Sequence, residues 1–121
     1  MTDRKRDTSR GGMGGTGRSY ARITLGLDII GRVLQGRWSG YHELAIVKHQ
    51  LSLFDTITVE ESDTMRLHCT SPGVPCTQDN LCWKAVDLLK KRFDIQRNVA
   101  ISIEKQIPVM GGLAGGSANA A

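Results

Sequence analysis

The residues best suited to chemistry form a glycine-rich stretch, Ile107–Ala121, with the sequence IPVMGGLAGGSANAA. Its glycines are Gly111, Gly112, Gly115 and Gly116. Glycine lets a backbone approach a ligand closely and tolerates positive φ, so several N–H groups can converge on one anion. The alanine-rich run that starts at Ser117 favours a helix, whose first N–H groups would add donors. The pattern indicates a phosphate site, and a plain glycine-rich turn is the alternative.

The sequence excludes two common nucleotide-binding motifs. The stretch lacks the Gly-Lys-Ser/Thr of a Walker A loop. A second glycine run does match G-x-G-x-x-G, at Gly12, Gly14 and Gly17. That motif binds a dinucleotide only between a strand and a helix, whereas this one follows a charged segment and precedes a strand pattern. We therefore interpret it as part of a flexible linker.

A second group of candidate residues lies in GYHEL, residues 40–44. Tyr41 can stack on a planar ring and His42 can hydrogen-bond to one. The alternative is a Tyr half-buried in the core with a His at its rim. His42 and Glu43 do not make a zinc-protease motif, because the second His would stand at Ile46. No protein metal site is predicted.

Charge and composition limit the class of protein. The chain has 121 residues, 40% of them hydrophobic, which suits one domain with a modest core. Residues 1–18 hold five Lys or Arg and two Asp, hence +3 of the net charge of +4. We interpret 1–18 as a disordered basic tail and do not expect it to bind nucleic acid. Three cysteines without CxxC spacing suggest reduced thiols, and no apolar run reaches the ~20 residues of a membrane span, so we expect a cytoplasmic protein.

The elements that would position these residues follow from hydrophobic periodicity. Alternation predicts strands, and Asp79 and Asn80 offer N-caps for a helix that ends in basic residues. In chain order we expect a strand over 21–29, a loop over 31–40, two strands within 44–60 that meet near 52–55, a short strand over 65–69, a turn over 71–76, a helix after residue 80, a strand over 99–103, and the glycine loop. The fold class is α/β, in its α+β form.

Three of these stretches, in this order, resemble the GHMP kinases, the superfamily of galactokinase, homoserine kinase and mevalonate kinase. They are YARITLGLDIIGR from Tyr20, GYHEL from Gly40, and IEKQIPVMGGLAGGSANAA up to Ala121. DNL, which opens a helix at Asp79, also fits. Within the superfamily the likeness is greatest to the kinases of 4-diphosphocytidyl-2-C-methyl-D-erythritol. It covers about residues 19–121.

The resemblance implies an N-terminal GHMP kinase domain, similar to the second domain of ribosomal protein S5 and incomplete here. It implies phosphorylation by ATP, with Mg²⁺, of the 2-hydroxyl of 4-diphosphocytidyl-2-C-methyl-D-erythritol, in the non-mevalonate isoprenoid pathway. Tyr41 and His42 match the residues that hold cytosine. The residues that match the ATP site are Asn80, Pro108, Gly111, Gly112, Gly115, Gly116 and Ser117.

Some positions depart from the family pattern. Arg22 stands where a catalytic Lys is usual and Thr24 where an Asn is usual. The family's catalytic Asp follows the glycine loop and has no counterpart here, so we expect this chain alone to be inactive and a C-terminal half to be a possible partner. Two alternatives stay open: another GHMP-type small-molecule kinase, and a non-catalytic remnant that binds a nucleotide or a partner.

Overall fold

A computed structural model describes residues 13–110 and 112–121. Within these residues the chain forms one four-stranded sheet, with strand order β1-β2-β4-β3, and two helices. In chain order the elements are β1 (Gly14–Arg32), β2 (His42–Ser62), β3 (Arg66–Cys69), α1 (Leu81–Phe93), β4 (Asn98–Glu104) and α2 (Gly115–Ala120). The α/β class predicted from the sequence is confirmed.

The sheet combines a long hairpin with a crossover. β1 and β2 pair antiparallel along almost their whole length, from Gly14 opposite Glu60 to Arg32 opposite His42. β4 pairs antiparallel with the second part of β2, and β3 pairs parallel with β4. A parallel pair needs a crossover, which α1 supplies between β3 and β4.

One face of the sheet forms the core. Register aligns Ile57 with Ile103 and Ile103 with Cys69 across three strands, because alternate residues of each strand point to the same face. Ile101 and Leu67 form the next row. Cys82 of α1 packs on these rows, and the partly buried Val86 and Trp83 extend the cluster. All three cysteines are free thiols, and burial raises the pKa of Cys82 above its ordinary value.

Helix α1 begins and ends where the sequence analysis expects. Asn80 is the N-cap, and its side-chain oxygen accepts a hydrogen bond from the backbone N–H of Cys82 at 2.8 Å. The basic residues Lys90, Lys91 and Arg92 occupy the last turn. Asp94 closes the helix in the left-handed conformation, with φ 51°. Cations at the carboxyl end stabilise the helix dipole.

The hairpin differs from the prediction in two respects. One continuous strand, β2, replaces the two strands expected within 44–60. The strand is not interrupted at the expected break, but its pairing with β1 shifts register there, between Phe54 and Gln50. β1 begins at Gly14, inside the segment predicted as tail, where the hydroxyls of Thr16 and Thr58 lie 3.1 Å apart. Backbone pairing with β2 therefore orders residues 14–18. The rest of the predicted tail, residues 1–12, lies outside the described residues.

The far part of the hairpin, residues 22–50, extends beyond the rest of the sheet, and we call it the hairpin arm. β4 pairs with β2 only from Thr56 to Ser62, so it does not reach the arm. Apolar side chains of the arm are therefore exposed: Leu25, Leu27 and Ile29 keep 64%, 52% and 66% of their surface accessible. Within residues 13–110 and 112–121, no helix is long and apolar enough to cross a membrane.

Candidate functional site

The glycine loop borders a cavity of about 370 Å³. Three chain segments form its wall: the turn before α1, the N-cap of α1, and the loop with the start of α2. Six of the seven residues predicted to bind ATP line this cavity, while Gly111 lies outside the described residues. The six are Asn80, Pro108, Gly112, Gly115, Gly116 and Ser117.

The loop is held in an uncommon backbone conformation. Gly112 has φ 72°, and the non-glycine residues Met110 and Ala114 have φ 58° and 56°. Positive φ is costly for residues with a Cβ, so the surrounding structure must hold these two in place. Gly115 leaves little room for a side chain, since a Cβ there would lie 3.0 Å from Cγ2 of Ile107. Helix α2 then starts at Gly115, two residues before the predicted start at Ser117, and is six residues long.

A buried ion pair lies behind the loop. Nζ of Lys105 is 2.5 Å from Oδ2 of Asp55, and their side chains are 6% and 0% exposed. Oδ1 of Asp55 accepts the backbone N–H groups of Gln106 and Ile107 at 2.7 and 2.9 Å. Nδ2 of Asn119 donates to Oδ2 at 2.9 Å. One carboxylate therefore contacts residues on both sides of the glycine loop.

These contacts determine the ionisation of Asp55. Burial alone raises the pKa of its carboxyl. The hydrogen bonds from Lys105, Ile107, Asn119 and Gln106 outweigh burial, and the pKa of Asp55 lies below its ordinary value of 3.8. Donors that bond to the charged form stabilise it. Asp55 is therefore a carboxylate at neutral pH, and it neutralises Lys105 at the cavity wall.

Arg22 lies beside the loop. Its backbone N–H donates to the carbonyl of Leu113 at 3.0 Å, while its side chain is exposed. The contact occurs where β1 and β2 lose regular register, between Tyr20 and Arg22, so this N–H is turned toward the loop instead of β2. The structure thus brings the predicted catalytic position next to the predicted phosphate loop.

Asn80 lines the cavity with a side chain that is already engaged. Its oxygen caps α1, and its Nδ2 donates to the carbonyl of Pro75 at 2.9 Å. Asn80 is 7% exposed. Both polar groups of the Asn80 side chain are therefore bonded within the protein, and they hold this part of the cavity wall in place.

Tyr41 and His42 lie elsewhere, at the tip of the hairpin arm. Tyr41 is 63% exposed, so the alternative of a Tyr half-buried in the core does not hold. Its ring meets Trp38 edge-on, with centroids 5.7 Å apart, and the guanidinium of Arg37 lies 4.8 Å from the Trp38 centroid. Gln50 is the β2 partner of Arg22, and His42 lies eight positions away from it along the same strand, a span of about 26 Å for extended backbone. The structure does not bring these residues into the loop cavity.

The sequence analysis missed Asp55, Lys105 and Asn119. A signal was present: Lys105 stands two residues after Ile103, just past the end of β4, and Asp55 stands two residues before Ile57 within β2. Each therefore continues the inward-facing alternation with a charge, and the two charges have opposite sign. Because Ile57 pairs with Ile103, the two charges come together one step further along. No comparable signal identifies Asn119, whose contacts depend on where α2 packs.

Comparisons with known proteins agree with this geometry. The family described as "GHMP kinases N terminal domain" matches residues 80–121. The 4-diphosphocytidyl-2-C-methyl-D-erythritol kinases of Thermosynechococcus vestitus and Clostridium botulinum are 48% and 42% identical over 103 and 105 residues. These matches cover 84% and 86% of this chain but 32% and 36% of the relatives. The chain thus spans about a third of the length of the curated relatives it matches.

Solved structures give the same result. The crystal structure of a 4-(cytidine 5'-diphospho)-2C-methyl-D-erythritol kinase superposes with a TM-score of 0.64 at 32% identity, over 87% of this chain and 36% of that one. Homoserine kinase from Cytophaga hutchinsonii superposes with a TM-score of 0.61 over 96% of this chain and 34% of that one, and at 11% identity it shows the fold alone. Over 84–87% of its length the chain is therefore similar to kinases of this family, and its residues 80–121 match the GHMP kinase N-terminal domain.

Proposed function

We propose that this chain provides the nucleotide-binding part of a kinase that transfers a phosphoryl group from ATP to the 2-hydroxyl of 4-diphosphocytidyl-2-C-methyl-D-erythritol. The observation that carries the proposal is the loop cavity, where six residues that match the ATP site of this family come together. Relatives that are 38–48% identical and bear the name of this kinase support the choice of substrate. A cytoplasmic location is part of the proposal.

ATP is assigned to the loop cavity because the loop can surround phosphate with backbone donors. Gly112, Gly115 and Gly116 have no side chains to shield their N–H groups, and Ser117 adds a hydroxyl. Preorganised donors of this kind stabilise phosphoryl oxygens without rearrangement during the reaction. Magnesium would enter with the nucleotide and neutralise phosphate charge.

Arg22 is the proposed residue for the charge that develops on the transferred group. Its backbone is bonded to the loop, and its exposed guanidinium is a permanent cation. Kinases obtain most of their rate from positioning and from such positive charges. The forked guanidinium is larger than the ammonium of the Lys that is usual at this position, so the two side chains would contact a phosphoryl group differently.

The cytidine end of the substrate is assigned to Tyr41 and His42. An exposed ring and an exposed imidazole on one short segment can stack on a pyrimidine and hydrogen-bond to its edge. Their position at the far end of the hairpin arm requires a long substrate, with the base distant from the reacting hydroxyl. A nucleoside diphosphate joined to a sugar alcohol has that shape.

Isothermal titration calorimetry on the 121-residue chain tests both assignments separately. We expect saturable binding of ATP–Mg²⁺ and, independently, of a cytidine diphosphate ligand. Ser117→Ala should weaken ATP binding alone. Tyr41→Ala should weaken cytidine binding alone, because the two regions are separate in the structure.

Two controls decide between this proposal and its alternatives. Uridine diphosphate tests whether the base is read, and mevalonate tests for another GHMP-type substrate. Binding of mevalonate without cytidine diphosphate would replace the proposed substrate. Absence of ATP binding by a chain with a folded circular dichroism spectrum would remove the kinase assignment for this chain.

A further inference from the structure

The buried carboxylate of Asp55 has no assigned role in the proposed reaction, yet it contacts both ends of the glycine loop. Its four donors come from Lys105, Gln106 and Ile107 before the loop and from Asn119 after it. Both carboxylate oxygens thus receive two hydrogen bonds. A charge without access to water is retained only when it is fully paired, and this one is.

Asp55 does not itself line the cavity, whereas two of its partners do. Lys105 and Asn119 form part of the cavity wall, and Nζ of Lys105 also donates to Oδ1 of Asn119 at 3.2 Å. Nδ2 of Asn119 in turn donates to the hydroxyl of Ser19 on β1 at 3.1 Å. Asp55 can therefore influence a ligand in the cavity only through the groups that it holds.

The loop needs this restraint because its conformation is unfavourable in isolation. Met110 and Ala114 have positive φ without being glycine, and such residues persist only where neighbouring structure holds them. The carboxylate fixes the backbone before Pro108, Asn119 fixes α2, and the N–H of Arg22 holds the carbonyl of Leu113 from the side. The loop is thus anchored before, after and along its length.

We propose that Asp55 is a positioning residue for the phosphate loop: it holds the loop in its binding conformation before nucleotide arrives. This inference rests on the proposed function, since it assumes that the loop cavity receives ATP. Its mechanism is preorganisation, in which the cost of ordering the loop is met during folding and not during binding. Asp55 contacts neither the nucleotide nor the reacting atoms.

Two double variants separate positioning from charge. Asp55→Asn with Lys105→Gln removes both charges and keeps an oxygen that can accept the N–H groups of Gln106 and Ile107. Asp55→Leu with Lys105→Met also removes both charges, fills similar volume, and leaves those N–H groups without an acceptor. Replacing a whole buried ion pair is usually tolerated by the fold, whereas breaking it is not. Asp63→Asn, at an exposed position, is the matched control.

The readout is the Kd for ATP–Mg²⁺ of each chain at a temperature where circular dichroism shows it folded. We expect the amide pair to bind within about three-fold of the unaltered chain and the apolar pair to lose about ten-fold or more, as expected for a lost acceptor. Equal losses in both pairs would assign the effect to the charge of Lys105 and overturn the proposal. Unchanged binding by the apolar pair would overturn it as well.

A measurement on the unaltered chain covers the case in which a variant does not fold. Amide hydrogen exchange without nucleotide should show Gln106 and Ile107 protected like Ile103 in β4, because the loop is held before binding. Free exchange of these two amides beside a protected Ile103 contradicts the proposal. If the unaltered chain binds no ATP, the proposed function fails instead, and the exchange result still decides whether Asp55 holds the loop.

Discussion

The loop cavity and the tip of the hairpin arm are built in opposite ways. The cavity is supported by a buried ion pair, in which Lys105 follows the end of β4, and by hydrogen bonds that connect β1, β2 and α2. The tip is a turn that exposes Trp38 and Tyr41 and is held by local bonds such as Val33 N–H to the Tyr41 carbonyl, at 2.8 Å. Polar groups are thus buried at the loop cavity, whereas apolar groups are exposed at the tip of the hairpin arm.

The two proposed binding sites therefore differ in what determines their geometry. At the cavity the backbone conformation is decisive, and buried polar contacts hold it in place. At the tip the side chains matter, and exposed rings need only a strand pair to present them. Mutations should therefore change stability and binding together at the cavity but only binding at the tip.

The largest effect should come from breaking the buried ion pair. Lys105→Met leaves the Asp55 carboxylate inside the protein without its cation, which we expect to cost about 3–5 kcal/mol of unfolding free energy. Arg97→Met is the control, because the Arg97–Glu61 pair is 65% and 38% exposed and should contribute about 1 kcal/mol or less. Urea unfolding followed by circular dichroism measures both. Equal losses would contradict the contrast between buried and exposed pairs.

The same substitution in the two regions isolates the contribution of packing. Ile103 is 1% exposed and Ile29 is 66% exposed. Ile103→Ala should cost about 2–5 kcal/mol through lost burial and a cavity, and Ile29→Ala about 0.5 kcal/mol or less. Thermal unfolding of the two variants tests this. A large loss at Ile29 would mean that the arm is buried in solution.

Acid should weaken the loop region through Asp55. The pKa of Asp55 in the folded chain lies below its ordinary value of 3.8. At a pH between the folded pKa and the ordinary pKa, the unfolded chain therefore binds more protons than the folded chain. The stabilisation is complete above about pH 5 and is lost as pH falls through the folded pKa, with a slope of up to about 1.4 kcal/mol per pH unit. Urea titrations from pH 2 to 7 should give a shallower slope for Asp55→Asn with Lys105→Gln. A slope unchanged from the unaltered chain would show that Asp55 does not titrate in this way.

The smallest effect should come from the tip. Trp38→Ala removes a 56% exposed indole and its edge-on contact with Tyr41. We expect a loss of about 0.5 kcal/mol or less, since little surface is buried there. Urea unfolding measures it, and Trp83→Ala, in the partly buried cluster on α1, should cost more. A larger loss for Trp38 would show that the tip packs on other parts of the chain.

The sequence predicts most of the fold because the alternation of apolar and polar residues in strands and the capping of helices depend on neighbouring residues only. β4 and the N-cap Asn80 are where their patterns place them. The sequence analysis predicted two strands within 44–60 that meet near 52–55, where the polar residues Ser52 and Asp55 lie. Asp55 instead continues the inward-facing row that Ile57 belongs to, and it is buried because Lys105, the residue after the end of β4, pairs with it. Local polarity misleads where a partner about 50 residues away neutralises a charge.

The site is only partly readable for the same reason. Glycine spacing identifies the loop, and the structure places its described glycines on one cavity. The contacts of Asn119 depend on how α2 packs against β1 and β2, which no local pattern encodes. Nor does spacing show that Tyr41 lies apart from that cavity, since the distance depends on how far the hairpin arm extends past β4.

The network around Asp55 also sets an order of events during synthesis. Asp55 and Lys105 are 50 positions apart, and Ser19 and Asn119 are 100 apart. At about 5–20 residues per second, a ribosome adds Lys105 roughly 3–10 s after Asp55. During that interval the carboxylate has no cation to pair with and must stay in water. The hairpin can close early, but the part of β2 around Asp55 cannot be buried until Lys105 and the glycine loop are synthesised, so the proposed binding site and the last part of the core are completed in one event.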